Sequence, residues 1–166
     1  MVYRRSLTVK PYTLTGDFKP TSFEMQLATF SSTSSETVVV NIYRSPSSSR
    51  AEFLDELAEL VYNIGAATSA KLLICGDMNC PGYDEHSTDV NLSDLFDSFG
   101  LKQHVTAGTR EDNLLDVLST EDHAAVMGVS VEDVGLVSDH QLVFAKLQGR
   151  PHHAERPDTP IATSVR

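Results

Sequence analysis

A few residues of this chain combine a side chain that can move a proton or hold a phosphate with a place beside an apolar, strand-like run. In KLLICGDMNC, residues 71 to 80, Asp77 and Asn79 follow the short apolar run 71–75, with Gly76 breaking the pattern. Open α/β sheets build their sites at such carboxyl ends of strands. Tyr43, with Asn41 just before it, lies in VVVNIYRSP; Asp116 stands alone in NLLDVLST; Asp139 and His140 directly precede QLVFAKL. Singly, each has an ordinary structural explanation. Asp116 could cap a loop, Tyr43 could be a half-buried strand aromatic, and Asp139 could begin a turn. Together they are the parts that phosphodiester hydrolysis requires: a base for water, a carboxylate to orient that base, and polar groups or a metal for the phosphoryl oxygens. His140 can be the base, because an imidazole titrates near ~6.5 and a carboxylate on its other nitrogen fixes the tautomer. Asp116 or Asp139 can be that carboxylate.

The elements that must position these groups alternate in type. FEMQLATF and TVVVNIY read as strands joined by a hairpin through the serine-rich SSTSSE. Ser49 and Glu52 have capping-box spacing ahead of Phe53, Leu54, Leu57, Leu60 and Val61, which predicts a helix over about 50–64. It leads into the strand at 71–75, a β-α-β order that favours helices packed on a sheet. NLSDLFDSFGL reads as a second helix ended by Gly100, and NLLDVLST, AAVMGVSVEDV and QLVFAKL as three further strands. The expected domain spans residues 1–148. Residues 149–166, which hold three prolines and His152 and His153, lose periodicity and read as a flexible tail or linker.

The totals bound the partners. The 166 residues fit one domain, and 40% apolar with 22% charged content is ordinary for a globular protein. No apolar run approaches the ~20 residues of a membrane helix, so no membrane role is expected. MVYRRSLTVKPYTL has two arginines but no apolar h-region, so an intracellular, reducing setting is expected. Cys75 and Cys80, the only cysteines, make neither a disulfide framework nor a good zinc site. A net charge of -10 argues against a protein that coats nucleic acid, yet it is compatible with a divalent cation that bridges carboxylates to a phosphate. Nothing in the sequence fixes an oligomeric state.

LLICGDMN, NLLDVLST and GLVSDHQLVFAKL, in this order and preceded by VVVNIYRSPSSS and an amphipathic helix, resemble the endonuclease/exonuclease/phosphatase superfamily. Within it, they are most similar to the apurinic-like endonuclease domain that precedes reverse transcriptase in LINE-type non-LTR retrotransposons. The resemblance runs from about Ser6 to Leu147. It implies a four-layered α/β sandwich with two facing β-sheets, DNA as substrate, Mg2+ or Mn2+ as cofactor, and a nuclear place of action. It also implies roles: Asp77 beside the attacking water, Asn79 on the phosphate, and Tyr43 with its hydroxyl near the phosphate. Asp139 would stand near the metal, His140 would act as base or electrostatic stabiliser, and Asp116 would orient His140. The resemblance further implies a reverse transcriptase region beyond the tail in a full-length relative.

The family pattern also includes an opening third with an asparagine and then a glutamate that is the principal metal ligand. Neither is found here, and Glu24 in TSFEMQL reads as a solvent-facing or edge-strand charge instead. The expectation is therefore an amino-terminally truncated domain with weak hydrolysis or none, Met1 being either the start or a false one. Two other readings stand beside it: a non-catalytic remnant or interaction module of the same fold, and a phosphatase acting on a phosphorylated lipid or small molecule.

Overall fold

The computed structural model describes residues 8–31, 36–83, 87–121 and 126–148. The expectations for the chain start, the serine loop and the tail with its paired histidines fall on residues outside these ranges. In chain order the elements are β1 (Thr8–Pro11), β2 (Glu24–Ser31), β3 (Glu36–Tyr43), α1 (Arg50–Ala67) and β4 (Lys71–Asp77). They are followed by α2 (Val90–Ser98), β5 (Lys102–Gln103), β6 (Asp116–Thr120), β7 (Val126–Glu132) and β8 (Leu142–Leu147). A 3-10 turn, Gly135–Val137, precedes β8.

Six strands form one sheet in the order β1-β2-β3-β4-β6-β5, and β7 and β8 form a second, two-stranded sheet. β3 and β4 are parallel because α1 carries the chain back between them; the other pairings are antiparallel. This is the mixed α/β, two-sheet architecture expected from the resemblance.

Local chemistry explains the central elements. The β-branched run of β3 buries Val38, Val40 and Ile42 on one face and leaves Asn41 and Tyr43 exposed on the other. Ser49 caps α1 by accepting the Glu52 N–H. The Glu52 carboxylate does not complete a capping box; it accepts from the Thr21 hydroxyl instead. Phe53, Leu57, Leu60, Val61 and Ile64 recur on one stripe of α1 and join the strand residues in one core, each such side chain contributing roughly 1.5–3 kcal/mol. Asp89 caps α2 through the Asn91 N–H. Gly100, at φ 67, ends it with Leu101 N–H bonded back to the Phe96 carbonyl.

Several boundaries differ from the sequence reading, each for a local reason. α1 continues to Ala67 because Gly65 is tolerated inside an already packed helix. Gly76 does not end β4: it sits in the strand at φ 125, against β3, where a Cβ would lie 2.0 Å from the Ile42 carbonyl oxygen. Asp77 is therefore the last residue of a paired strand. β6 begins at Asp116, its preceding residues forming a tight turn in which Glu111 adopts φ 51. β1 and β5 were not legible: one has four residues including a proline, the other two.

Candidate active site

The register of the large sheet lines up one row of polar residues. Glu24 is opposite Tyr43, Tyr43 is beside Asp77, and Asp77 is opposite Asp116, on four consecutive strands. Cα partners in neighbouring strands point to the same face, and strands are spaced about 4.8 Å apart. The two aspartates thus stand side by side at one end of the sheet. Burial, followed by the Asp116 charge, raises the Asp77 carboxyl above its ordinary value, opposed by the Asn79 N–H and by His140.

His140 reaches this row from the segment between the 3-10 turn and β8. Its Nδ1 lies 2.8 Å from Asp116 Oδ2, and its Nε2 lies 3.9 Å from Asp77 Oδ2. An ionised carboxylate only accepts, so the contact assigns the proton to Nδ1 and turns the Nε2 lone pair toward Asp77. The wider gap is too long for a hydrogen bond, but a water about 2.8 Å from each atom would complete a triangle on it.

Asn79 follows β4 in a left-handed conformation, φ 47, a conformation that asparagine tolerates better than most residues. Its backbone N–H donates to Asp77 Oδ1 at 3.0 Å and its side-chain Nδ2 donates to the Arg44 carbonyl at 2.7 Å. Arg44 is the partner that sequence reasoning missed. Only 3% exposed, it donates from its guanidinium to the carbonyls of Met78, Asn79 and Ser48 and lies 5.5 Å over the Phe53 ring. Its backbone N–H also bonds to the Asp77 carbonyl at 2.9 Å. An arginine in a serine-rich loop carries no pattern that shows it turning inward.

Not every candidate residue joins this group. The Asp139 side chain is 69% exposed and pairs with Arg110 at 2.8 Å, away from His140. Tyr43 sits in the row but is half exposed, as is expected of the open face of β3. Glu24 is exposed at the start of β2, in the part of the strand that pairs with β3 alone, since β1 meets only Ala28 to Ser31.

A divalent cation needs several oxygen ligands around one point. Among the described residues no group of three or more His, Cys, Asp or Glu side chains has that arrangement. The nearest carboxylates are already engaged, Asp77 Oδ1 by Asn79 and Asp116 Oδ2 by His140. These donors do not by themselves complete a metal site.

A family model described as endonuclease-reverse transcriptase matches residues 37–144. Among solved structures, the endonuclease domain of TRAS1, a telomere-specific non-LTR retrotransposon, is 17% identical, covering 89% of this chain and 71% of that one with a TM-score of 0.66. The 3′ phosphatase NExo from Neisseria, bound to a product DNA hairpin, is 15% identical, covering 86% and 80% with a TM-score of 0.51. At such identities the likeness is one of fold. No curated protein matches.

Proposed function

Given that the chain belongs to the endonuclease-reverse transcriptase family, in the endonuclease/exonuclease/phosphatase superfamily, we propose that it carries a phosphodiester-hydrolysing centre of the DNA endonuclease type. The observation that carries this reading is the His140–Asp116 pair facing Asp77, two carboxylates and an imidazole drawn from three separate elements. In this reading Asp116 holds the Nδ1 proton, and Nε2 takes a proton from water as the oxygen attacks phosphorus. The sugar oxygen then leaves, taking a proton from solvent, and the imidazolium returns its proton to solvent. Asp77 orients the water, while Asn79, whose side chain is held by the Arg44 carbonyl and by Asp77, would turn its amide to a phosphoryl oxygen when substrate is bound. Tyr43 lies next to Asp77 in the row and would place its hydroxyl at the edge of the phosphate.

A divalent cation, Mg2+ or Mn2+, belongs to the proposal through the family resemblance alone, with Asp139 as the candidate ligand. The described donors do not complete a site, so no step is assigned to the ion and hydrolysis by this chain alone is expected to be weak. In the same reading residues 1–148 form the domain, and 149–166 stand outside it. Its place of action would be the nucleus. The incomplete donor set also favours a second reading, a non-catalytic remnant of the same fold. Among the described residues no helix is long and apolar enough to cross a membrane.

Nicking of supercoiled plasmid by the purified chain, in Mg2+ and then Mn2+, with His140→Ala in parallel, tests the proposal. Slow nicking that disappears in His140→Ala is the expected result. Nicking equal in both proteins would overturn the role of His140, and none from folded protein would favour the remnant.

A further inference from the structure

The hydroxyl of Thr109 is buried, with the residue at 0% exposure, and it accepts two backbone N–H groups, from Leu115 at 3.1 Å and from Asp116 at 3.0 Å. The Thr109 carbonyl accepts a third, from Gln141 at 2.6 Å, the residue directly after His140. The next residue, Arg110, pairs with Asp139, directly before His140. One short turn therefore grips the chain at Asp116 and on both sides of His140. The same turn reaches the third member of the group, because the Leu115 carbonyl accepts the Met78 N–H, next to Asp77, at 2.9 Å.

The turn is itself stiff. Thr109 and Arg110 N–H groups both donate to the Asn113 carbonyl, and the Asn113 N–H returns to Arg110. Gly108 packs so closely on this turn that a Cβ there would lie 2.8 Å from the Asp112 carbonyl carbon. Thr109 touches neither the imidazole nor the carboxylate, so any influence on them must run through the backbone it holds. Without its hydroxyl, two inward-facing N–H groups would lose their acceptor at the residue where β6 begins. The turn would still hold Gln141 and Asp139, but its direct grip on the Asp116 backbone would be gone, leaving the Asn113 bonds and the 2.8 Å His140–Asp116 contact to keep the pair in register.

We infer that Thr109 is the positioning residue of the centre, whose hydroxyl and carbonyl together set the His140 imidazole on the Asp116 carboxylate. The inference rests on the proposed reading of that pair and assigns Thr109 a role that no sequence motif marks.

Long-range 1H–15N spectra of the 15N-labelled chain test it, because they report which imidazole nitrogen carries the proton whether or not the protein cleaves DNA. In the wild type, His140 is expected as the Nδ1–H form, and Asp116→Ala should abolish that preference. Thr109→Val, which keeps the shape and removes the acceptor, should also lose it, and Thr109→Ser should restore it. If the wild type shows no Nδ1–H preference, the pair itself fails and the inference with it. If Asp116→Ala abolishes the preference but folded Thr109→Val retains it, Thr109 is only a structural residue and the inference alone is overturned. Should Thr109→Val not fold, amide exchange of the wild type decides the matter. Leu115, Asp116 and Gln141 are expected to be protected together at a common rate; a Gln141 amide exchanging like an exposed loop while Asp116 stays protected would overturn the inference.

Discussion

Along β3, Val38, Val40 and Ile42 are sealed at 0%, 0% and 1% exposure, whereas along β8 Leu142 and Phe144 stand at 50% and 55%. The six-stranded sheet has α1 and α2 to complete its core. The β7–β8 sheet offers only Val129, Val131, Val143 and Ala145, all partly buried, to that core. A two-stranded ribbon is marginal without such packing. Asp77, Asp116 and Asn79 belong to the well-buried region, but His140 is delivered by the thinly packed one. Part of the centre is thus fixed by the core, and part depends on the small sheet staying docked.

The largest expected effect separates the two regions directly. Phe53→Ala removes a fully buried ring that stacks edge-on to Phe23 at 5.5 Å and supports Arg44, and should cost about 3–5 kcal/mol in urea unfolding. Phe144→Ala on β8 should stay within about 0.5 kcal/mol. Equal costs would break the comparison.

Gly76→Ala is next. Its φ of 125 and the approach of Ile42 leave no room for a methyl group, so a loss of at least ~1–3 kcal/mol is expected, with movement of Asp77 visible in amide spectra.

A smaller effect contrasts two carboxylates. Glu56 ties Thr21 and Ser22 to α1. Burial opposes its ionised form, but hydrogen bonds from Ser22 and Thr21 outweigh it and lower its pKa to about 2 from 4.5. Its contribution to stability is therefore present above pH 4.5 and lost as pH falls toward 2. Asp77 has the opposite sign: its pKa is raised above 3.8, so the folded state favours its protonated form, and its contribution is lost as pH rises through the raised value. At neutral pH Asp77→Asn should stabilise by up to about 1 kcal/mol by removing one of two facing charges, while Glu56→Gln should destabilise and flatten the acid limb of the stability profile. The smallest effect is Arg110→Ala, which breaks a pair exposed at 46% and 69% and should change stability by under about 0.5 kcal/mol.

The core elements were legible because their chemistry is local. The valines of β3 and the leucine stripe of α1 announce a strand and a helix within their own windows. Asp77, Asn79, Asp116 and His140 stood out for a related reason, as polar groups beside apolar runs. What the sequence did not show depends on distant partners. Gly76 looked like a strand end because its tolerance of a positive φ is used against Ile42, a contact made across 34 residues of chain. Arg44 and Thr109 act through backbone carbonyls and N–H groups, which leave no trace in residue type. The choice between Asp116 and Asp139 as the neighbour of His140 was likewise set by the turn at 109–110, which draws Asp139 away to Arg110.

A double-mutant cycle on His140 and Asp116 tests most directly whether the two regions meet in one centre. Stabilities of the wild type, His140→Ala, Asp116→Ala and the double variant would be measured by urea unfolding at neutral pH. A coupling energy of about 0.5 kcal/mol or more is predicted for groups in direct contact. Additivity within about 0.3 kcal/mol would contradict the account, since the imidazole and the carboxylate would then act as strangers.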